Sequence, residues 1–273
     1  MDLTNIHHIK EFLIGNNLWA KKFLGQNFLI NRDILDQIVN AANISNTELI
    51  IEVGPGLGVL TEQLIQKAKK VISIELDNKL YTLLTENFKD HKNLEIIHQD
   101  ALKFEPPNEA YKVVANIPYN ITSPIINHFL QAQNRPDSLT LLVQKEVAQK
   151  MCTLEPDMTI LALQVALFGK AKLIKKVSNQ CFFPVPGVDS AIINIECYKQ
   201  NDPNYIPQET ALNMLKLAKQ AFSQKRKKLR NTLPDLKDSL PTIGIDPSRR
   251  PETLSVQEWL KVSKLDSGKT LEN

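Results

Sequence analysis

Short runs of β-branched residues alternate with segments of helical periodicity from Glu48 onward. The runs are ELIIEV, KVISIE and NLEIIH, and residues 57–69 and 77–88 between them place apolar side chains at helical spacing. Such alternation is typical of parallel strands joined by crossover helices, so it predicts an α/β fold with a parallel sheet. Further strands are predicted at YKVVAN, SLTLLVQ, KLIKKV and SAIINIEC, about seven in all, with helices at residues 123–132 and 144–152.

The composition changes near Gln200. The polar, proline-containing stretch QNDPNYIPQET follows the last predicted strand, and helical periodicity with little strand signal comes after it. With 273 residues, 42% of them hydrophobic, the chain can bury one main core and a smaller second one. We therefore predict a main domain over residues 1–200 and a small helical domain over residues 201–273.

Several broad classes of protein are disfavoured. The longest apolar run, from Met158 to Phe168, includes Gln164 and is shorter than the roughly 18 residues that a membrane-spanning helix needs. The N-terminus shows no secretory apolar segment, and the three cysteines are far apart, which argues against a zinc site or a disulfide framework. We expect a reduced, cytoplasmic monomer that binds no metal and contacts no membrane.

The turn after the first of these strands, I-E-V-G-P-G-L-G, is rich in glycine. Gly54, Gly56 and Gly58 would let the backbone approach a ligand closely, as in sites for NAD, FAD or S-adenosylmethionine. Pro55 removes one backbone N–H, and Glu52 places a negative charge where a pyrophosphate would be repelled. Because S-adenosylmethionine carries a sulfonium and an ammonium group, we predict it as the cofactor. A tight turn without a ligand is the alternative.

Acidic residues follow the next two predicted strands. Glu75 lies about 20 residues beyond the glycine loop, where a carboxylate can accept hydrogen bonds from both ribose hydroxyls of a nucleoside. Asp100, followed by Ala101, could accept a hydrogen bond from the adenine amino group of the cofactor. The structural alternatives are a helix N-terminal acid for Glu75 and a turn cap for Asp100. The convergence of three strand ends on one crevice favours the cofactor site.

The sequence A-N-I-P-Y-N follows the fourth predicted strand and carries the predicted chemistry. An aryl amine is a poor nucleophile because its lone pair is delocalised into the ring. The amide oxygen of Asn116 and the carbonyl of Ile117 could accept both N–H bonds of such an amine. Pro118 would hold that carbonyl in place, and Tyr119 would offer a flat ring on which an adenine stacks. We predict methyl transfer to an adenine amino group by positioning, without a strong base; an Asn-Pro turn beside a packed tyrosine is the alternative.

Two aromatic residues precede the proline-stiffened loop P-V-P-G-V-D-S. Phe182 could contact the other face of the target adenine or pack in the core, and the sequence leaves both interpretations open. For Phe183, core packing is favoured.

At these residues the chain resembles the ribosomal RNA adenine N6,N6-dimethyltransferases, over nearly all of the sequence beyond residue 20. The resemblance rests on KKFLGQNFL, EVGPGLGVLT, IELD, NIPYN, QKEV, FFPVPGVDS and FSQKRKKLRNTL. It implies a seven-stranded, Rossmann-like class I methyltransferase sheet with a small C-terminal helical domain. It also implies S-adenosylmethionine-dependent dimethylation of two adjacent adenosines in the 3′-terminal hairpin loop of small-subunit (16S) ribosomal RNA, within a pre-ribosomal particle. Family cofactor positions map onto Asn27, Leu29, Gly54, Glu75, Asp100 and Asn116, of which the first two come from the resemblance alone.

The family pattern is not matched everywhere, and two other functions stay open. Ile117 stands where the family often has leucine, and residues 153–164 depart from the usual pattern, which leaves local RNA contacts undecided. One alternative is a ribosome-assembly or RNA-binding factor with little turnover. The other is a large-subunit methyltransferase that confers macrolide resistance, against which Asp189 and the C-terminal FSQKRKKLRN argue.

Five cations are concentrated in the run KRKKLR of the C-terminal domain. Such side chains bind RNA phosphates without reading sequence, although a solvated helix face is the alternative. Arg249, Arg250, Lys21 and Lys22 add to the predicted phosphate-binding charge. The predicted contacts with substrate RNA are Tyr119, Phe182, Lys225, Arg226, Lys227, Lys228 and Arg230.

Overall fold

The computed structural model describes residues 3–21, 24–224 and 226–269. The chain divides into two compact units, the first formed by Met1–Ala148 and Lys172–Cys197 and the second by Gln149–Ala171 and Tyr198–Asn273.

The described residues form nine strands and ten α-helices. The strands are β1 (Phe28–Leu29), β2 (Leu49–Val53), β3 (Lys70–Glu75), β4 (Leu94–His98), β5 (Tyr111–Asn116), β6 (Ser138–Gln144), β7 (Gly169–Val177), β8 (Phe182–Phe183) and β9 (Ser190–Cys197). The helices are α1 (Ile6–Gly15), α2 (Arg32–Ala42), α3 (Val59–Lys67), α4 (Asn78–Asn87), α5 (Thr122–Leu130), α6 (Lys145–Met151), α7 (Ile160–Phe168), α8 (Gln208–Phe222), α9 (Leu229–Thr232) and α10 (Val256–Lys269).

Seven of the strands form one sheet in the order β4-β3-β2-β5-β6-β9-β7. The pairs from β4 to β6 are parallel, and β9 runs antiparallel to β6. The predicted seven-stranded α/β sheet is therefore confirmed. The sequence pattern missed the antiparallel pair of β1 and β8, because each has only two residues.

Strand β2 shows why these segments form a parallel sheet. All five of its residues are buried, as expected when helices cover both faces of a parallel sheet and favour continuous apolar runs. Helix α2 contributes the amphipathic stripe Ile34, Leu35, Ile38 and Val39 to the same apolar core. Its start is set by Asn31, whose side chain accepts a hydrogen bond from the Ile34 N–H.

The second unit begins earlier in the chain than the sequence predicts. Residues 149–171 belong to it, whereas the predicted boundary at residue 200 assigned them to the first domain. The physical reason is α7, which is apolar on nearly all sides and packs against α8 and α10 from the C-terminal part of the chain. The apolar run from Met158 to Phe168 is thus largely a core helix.

Residues 3–21, 24–224 and 226–269 contain no group of three or more His, Cys, Asp or Glu side chains placed to hold a metal ion. None of the helices described there has both the length and the apolar character to cross a membrane.

Trp259 is the largest fully buried side chain of the second unit, and its ring centroid lies 6.0 Å from that of Phe222. We expect Trp259→Ala to lower the free energy of unfolding by about 3–5 kcal/mol, because it leaves a cavity that the unit cannot fill. Urea denaturation would measure this loss. The control is Trp19→Ala, which removes a 73% exposed ring and should change stability by less than about 0.5 kcal/mol. Equal losses for the two variants would contradict the prediction.

Candidate active site

A pocket opens where β2, β3, β4 and β5 end. The carboxyl ends of neighbouring parallel strands meet at one edge of a sheet, which is where open α/β sheets bind ligands. All of the predicted cofactor and catalytic residues except Gly58 line this pocket. They are Asn27, Leu29, Glu52, Gly54, Gly56, Glu75, Asp100, Ala101, Asn116, Ile117, Pro118 and Tyr119.

Gly58 serves packing, which differs from its predicted place on the ligand surface. It precedes α3 with φ at 83°, a conformation that favours glycine. A Cβ at this position would lie 2.6 Å from the Phe88 ring and 2.9 Å from Leu84 Cδ2. Glycine therefore lets the loop approach α4 closely.

Glu52 is a buried carboxyl group with one unused oxygen. Its Oε2 accepts hydrogen bonds from Thr61 Oγ1 at 2.7 Å and Ser73 Oγ at 2.6 Å. Its Oε1 is buried, and among the described residues no group donates to it. Burial, with a smaller contribution from the charge of Glu75, raises the pKa of Glu52 to about 7. A cationic ligand group would satisfy Oε1 and favour the ionised carboxylate.

Glu75 and Asp100, at the ends of the next two strands, also accept hydrogen bonds from nearby backbone N–H groups. Glu75 accepts hydrogen bonds from the Asp77 N–H at 2.8 Å and the Gly56 N–H at 3.2 Å, so it shapes the glycine loop. Burial raises the pKa of Glu75, although these backbone donors oppose the shift. Asp100 Oδ1 accepts from the Leu102 N–H at 2.9 Å, which makes it a turn cap as well as a pocket residue. A carboxylate offers about four acceptor sites, so both residues retain capacity for a ligand.

Asn116 ends β5 and lines the same pocket as Gly54. Its Nδ2 donates a hydrogen bond of 3.3 Å to the backbone oxygen of Asn27. A carbonyl oxygen can only accept, so this bond places the amide nitrogen toward Asn27 and leaves Oδ1 as the acceptor. The next peptide is held in turn, because the Ile117 N–H donates to the Leu142 oxygen at 3.2 Å.

Residues 24–29, here called the strap, lie against residues 116–120, here called the Asn-Pro turn. Gly25 has φ at +67°, and a Cβ there would lie 2.9 Å from Asn120 Oδ1 and 3.2 Å from Pro118 Cβ. Asp77 holds this end of the chain, since Gln26 Nε2 donates to it at 3.2 Å and Lys21 Nζ pairs with it at 2.7 Å. Burial acts to raise the pKa of Asp77, but these two partners bring it below its usual value.

Phe182 lies in the core, which corrects its assignment to the RNA surface. The side chain is 1% exposed and belongs to an apolar cluster that includes Leu29, its antiparallel partner across β1 and β8. A side chain so buried has no free face for an adenine. Phe183 is half-buried at a second apolar cluster, with Lys10 Nζ 5.6 Å from its ring centroid. Core packing was the favoured interpretation for Phe183.

Not all of the predicted RNA-contacting cations face water freely. Lys22 and Lys225 lie outside the described residues. Arg249 bonds Glu258 and the Thr253 oxygen, and Lys21 is paired with Asp77, so both have structural roles. The remaining members of the cationic run are exposed: Arg226, Lys227, Lys228 and Arg230.

Sequence reasoning missed Gln26, Asp77, Asn120 and Ser190, although all four contact predicted site residues or hold the strap. Gln26 and Asp77 are 51 positions apart, and Tyr119 and Ser190, whose hydroxyls lie 2.7 Å apart, are separated by 71. No local periodicity connects residues at such distances. All four do fall within the quoted motifs, which are the one signal that could have found them: Gln26 in KKFLGQNFL, Asp77 in IELD, Asn120 in NIPYN and Ser190 in FFPVPGVDS.

Proteins of known name match this chain over nearly its whole length. Residues 17–266 match the family model described as ribosomal RNA adenine dimethylase. The chain is 42% identical to the ribosomal RNA small subunit methyltransferase A of Dehalococcoides mccartyi, covering 93% of this chain and 90% of that protein. It is 38% identical to the protein of that name from Clostridium perfringens, covering 95% of each chain.

Two solved structures extend the similarity to the fold. The 23S rRNA methyltransferase ErmE superposes with a TM-score of 0.71 at 27% identity, covering 87% of this chain and 98% of that one. A dimethyladenosine transferase from Plasmodium falciparum superposes with a TM-score of 0.70 at 27% identity, covering 89% and 98%.

The strap is expected to control ligand binding through Gly25. We expect Gly25→Ala to weaken S-adenosylmethionine binding about tenfold, because a side chain strains the positive φ and pushes the strap from the Asn-Pro turn. Isothermal titration calorimetry would measure the affinity. The control is Gly15→Ala, where a Cβ meets nothing within 4 Å. Unchanged affinity in Gly25→Ala would show that the strap does not need this close approach.

Glu52 is expected to give the unliganded protein a distinctive pH dependence. The ordinary pKa of a glutamate is 4.5, and that of Glu52 in the folded protein is about 7. At pH values between the two, the native state holds a proton that the unfolded chain releases. Unfolding then takes place with proton loss, so stability falls as pH rises through this window. Across this window the free energy of unfolding of the wild type should fall by about 3 kcal/mol relative to that of Glu52→Gln, since one pKa unit corresponds to about 1.4 kcal/mol. Urea denaturation across the window would show parallel curves for the two proteins if this is wrong.

Proposed function

This chain belongs to the ribosomal RNA adenine dimethylase family, and from that premise we propose that it dimethylates N6 of two adjacent adenosines in the 3′-terminal hairpin loop of 16S ribosomal RNA. It is an S-adenosylmethionine-dependent rRNA adenine dimethyltransferase that acts in ribosome biogenesis. One observation carries the proposal at the level of the site. The amide oxygen of Asn116 is left as an acceptor, because Asn27 holds the amide nitrogen, at the pocket lined by the glycine loop.

The residues of the pocket fit a cationic cofactor. A buried carboxylate oxygen without a donor costs free energy, so a positively charged ligand group beside the Oε1 atom of Glu52 would be stabilising. Glu75 would accept hydrogen bonds from the ribose hydroxyls, and Asp100 from the adenine amino group. When bound, S-adenosylmethionine supplies a methyl group on a positively charged sulfur. The remaining contacts would come from Asn27, Leu29, Gly54, Gly56 and Ala101.

Asn116 and Ile117 would prepare the amine of the target adenosine. By accepting both N–H bonds, the Asn116 amide oxygen and the Ile117 carbonyl favour a pyramidal nitrogen with a localised lone pair. Pro118 restricts the backbone at that carbonyl, and Tyr119 supplies a face for the adenine. The adenine must leave its own stack to reach these groups. This geometry needs no strong base.

The comparisons favour the small ribosomal subunit as the source of the substrate. Relatives named for that subunit are 38–43% identical over more than nine-tenths of this chain, whereas the 23S rRNA methyltransferase is 27% identical. A pre-ribosomal substrate also implies action in the cytoplasm. We further propose that the exposed cations of the second unit bind its phosphates, namely Arg226, Lys227, Lys228 and Arg230.

The proposal is tested by assaying wild type and Asn116→Ala on immature small subunits and mapping modified nucleotides by mass spectrometry. Wild type should dimethylate two adjacent adenosines. Asn116→Ala should lower the rate by about 100-fold or more, because it removes an acceptor needed in the transition state. The control is Asn87→Ala, which changes an exposed asparagine at the end of α4 and should leave activity unchanged.

Other outcomes would favour the other candidate functions. Intact cofactor binding by the wild type without methyl transfer would indicate an assembly factor with little turnover. Methyl groups found on large-subunit RNA would indicate the resistance enzyme instead.

A further inference from the structure

The hydroxyl group of Tyr119 has a specific partner that the proposed chemistry does not use. Its oxygen lies 2.7 Å from Ser190 Oγ, and Ser190 is fully buried. Tyr119 itself is half-buried and lines the pocket. The two residues are therefore joined by a hydrogen bond at the edge of the ring on which the adenine would stack.

Ser190 is held in place by the sheet and by its neighbours. It is the first residue of β9 and pairs across the sheet with Gln144, the last residue of β6. The preceding residue, Asp189, is held by three bonds: its backbone oxygen accepts from the Lys145 N–H at 3.0 Å, and its carboxylate accepts from Lys145 Nζ at 2.9 Å and the Asn179 N–H at 3.3 Å. The Ser190 hydroxyl is therefore positioned by two strands and an ion pair.

The place of the Tyr119 side chain depends on a partner that is distant in the sequence. Tyr119 begins the short 3-10 turn Tyr119–Ile121 after Pro118, and a hydrogen bond of 3.1 Å from the Ile121 N–H to the Pro118 oxygen closes that turn. The turn fixes the backbone, and the place of the ring then depends on rotation about the Cα–Cβ bond. The hydroxyl oxygen moves with that rotation, so its hydrogen bond to Ser190 restrains it. Burial raises the pKa of Tyr119, so the phenol stays protonated and keeps the hydrogen bond at neutral pH.

We propose that Ser190 is a positioning residue of methyl transfer, which holds the Tyr119 ring in the place where it receives the target adenine. This rests on the proposed function. Base stacking depends on where the platform lies, and transfer to an amine depends on the alignment of that amine, so a displaced ring would weaken both RNA binding and rate. Ser190 touches neither substrate nor cofactor and acts only through Tyr119.

The test is a double-mutant cycle of Ser190→Ala, Tyr119→Phe and the double variant. Tyr119→Phe keeps the ring and removes only the hydroxyl. We expect each single variant to lower kcat/KM for immature small subunits by about three- to tenfold, the usual effect of one hydrogen bond. The double variant should lose no more than either single variant, because both remove the same bond. Affinity for S-adenosylmethionine should be unchanged in all three.

A second readout follows the platform directly. RNA carrying 2-aminopurine at the target position should show a shorter fluorescence lifetime on wild type than on Ser190→Ala, if the fixed ring stacks on that base. The control is Ser138→Ala, which removes a buried hydroxyl at the opposite end of β6. It should leave both the lifetime and kcat/KM at the wild-type values.

Two results would overturn the inference. One is wild-type kcat/KM and lifetime in Ser190→Ala. The other is a loss from Ser190→Ala that is equally large in the Tyr119→Phe background, since the effect would then not pass through the tyrosine hydroxyl. Absence of methyl transfer by the wild type would count against the proposed function instead, and the lifetime measurement would still test the positioning of the ring.

Discussion

The hydrogen bond from Asn116 to the Asn27 backbone joins the two halves of the site. An amide side chain can present either its donor or its acceptor to a ligand, and this bond selects the acceptor. This bond forms only when the strap lies on the Asn-Pro turn. That position depends on the absence of a side chain at Gly25 and on the contacts of Asp77 with Gln26 and Lys21. Ligand enclosure and chemical orientation therefore depend on the same arrangement of the chain.

The electrostatics of the pocket favour ligand binding over stability. Glu52 and Glu75 are both buried, and the charge of Glu75 adds to the upward pKa shift that burial imposes on Glu52. Without a ligand this arrangement is costly, because a buried carboxyl either holds its proton or stays poorly solvated. A cation in the pocket would offset that cost. Such local conflicts with stability are expected at functional sites.

Most of the site could be predicted because its residues sit at strand ends. The glycine loop, Glu75, Asp100 and Asn116 each follow a recognisable strand, and parallel strands bring their carboxyl ends to one edge whatever the loops do. The prediction for Phe182 was wrong because a two-residue strand leaves no periodic signal, and that strand places the side chain in the core. The predicted domain boundary missed residues 149–171 because α7 finds its partners far along the chain.

Local pattern by itself therefore determined the α/β sheet, where its strands end along the chain and the chemical types of residue gathered there, since periodicity and turn chemistry act between near neighbours. The tertiary structure alone decided which oxygen of Glu52 lacks a donor, which end of the Asn116 amide bonds Asn27, and that Ser190 meets Tyr119. These are contacts between residues far apart in the chain. They form only when the core has packed, and no short stretch of sequence contains both partners.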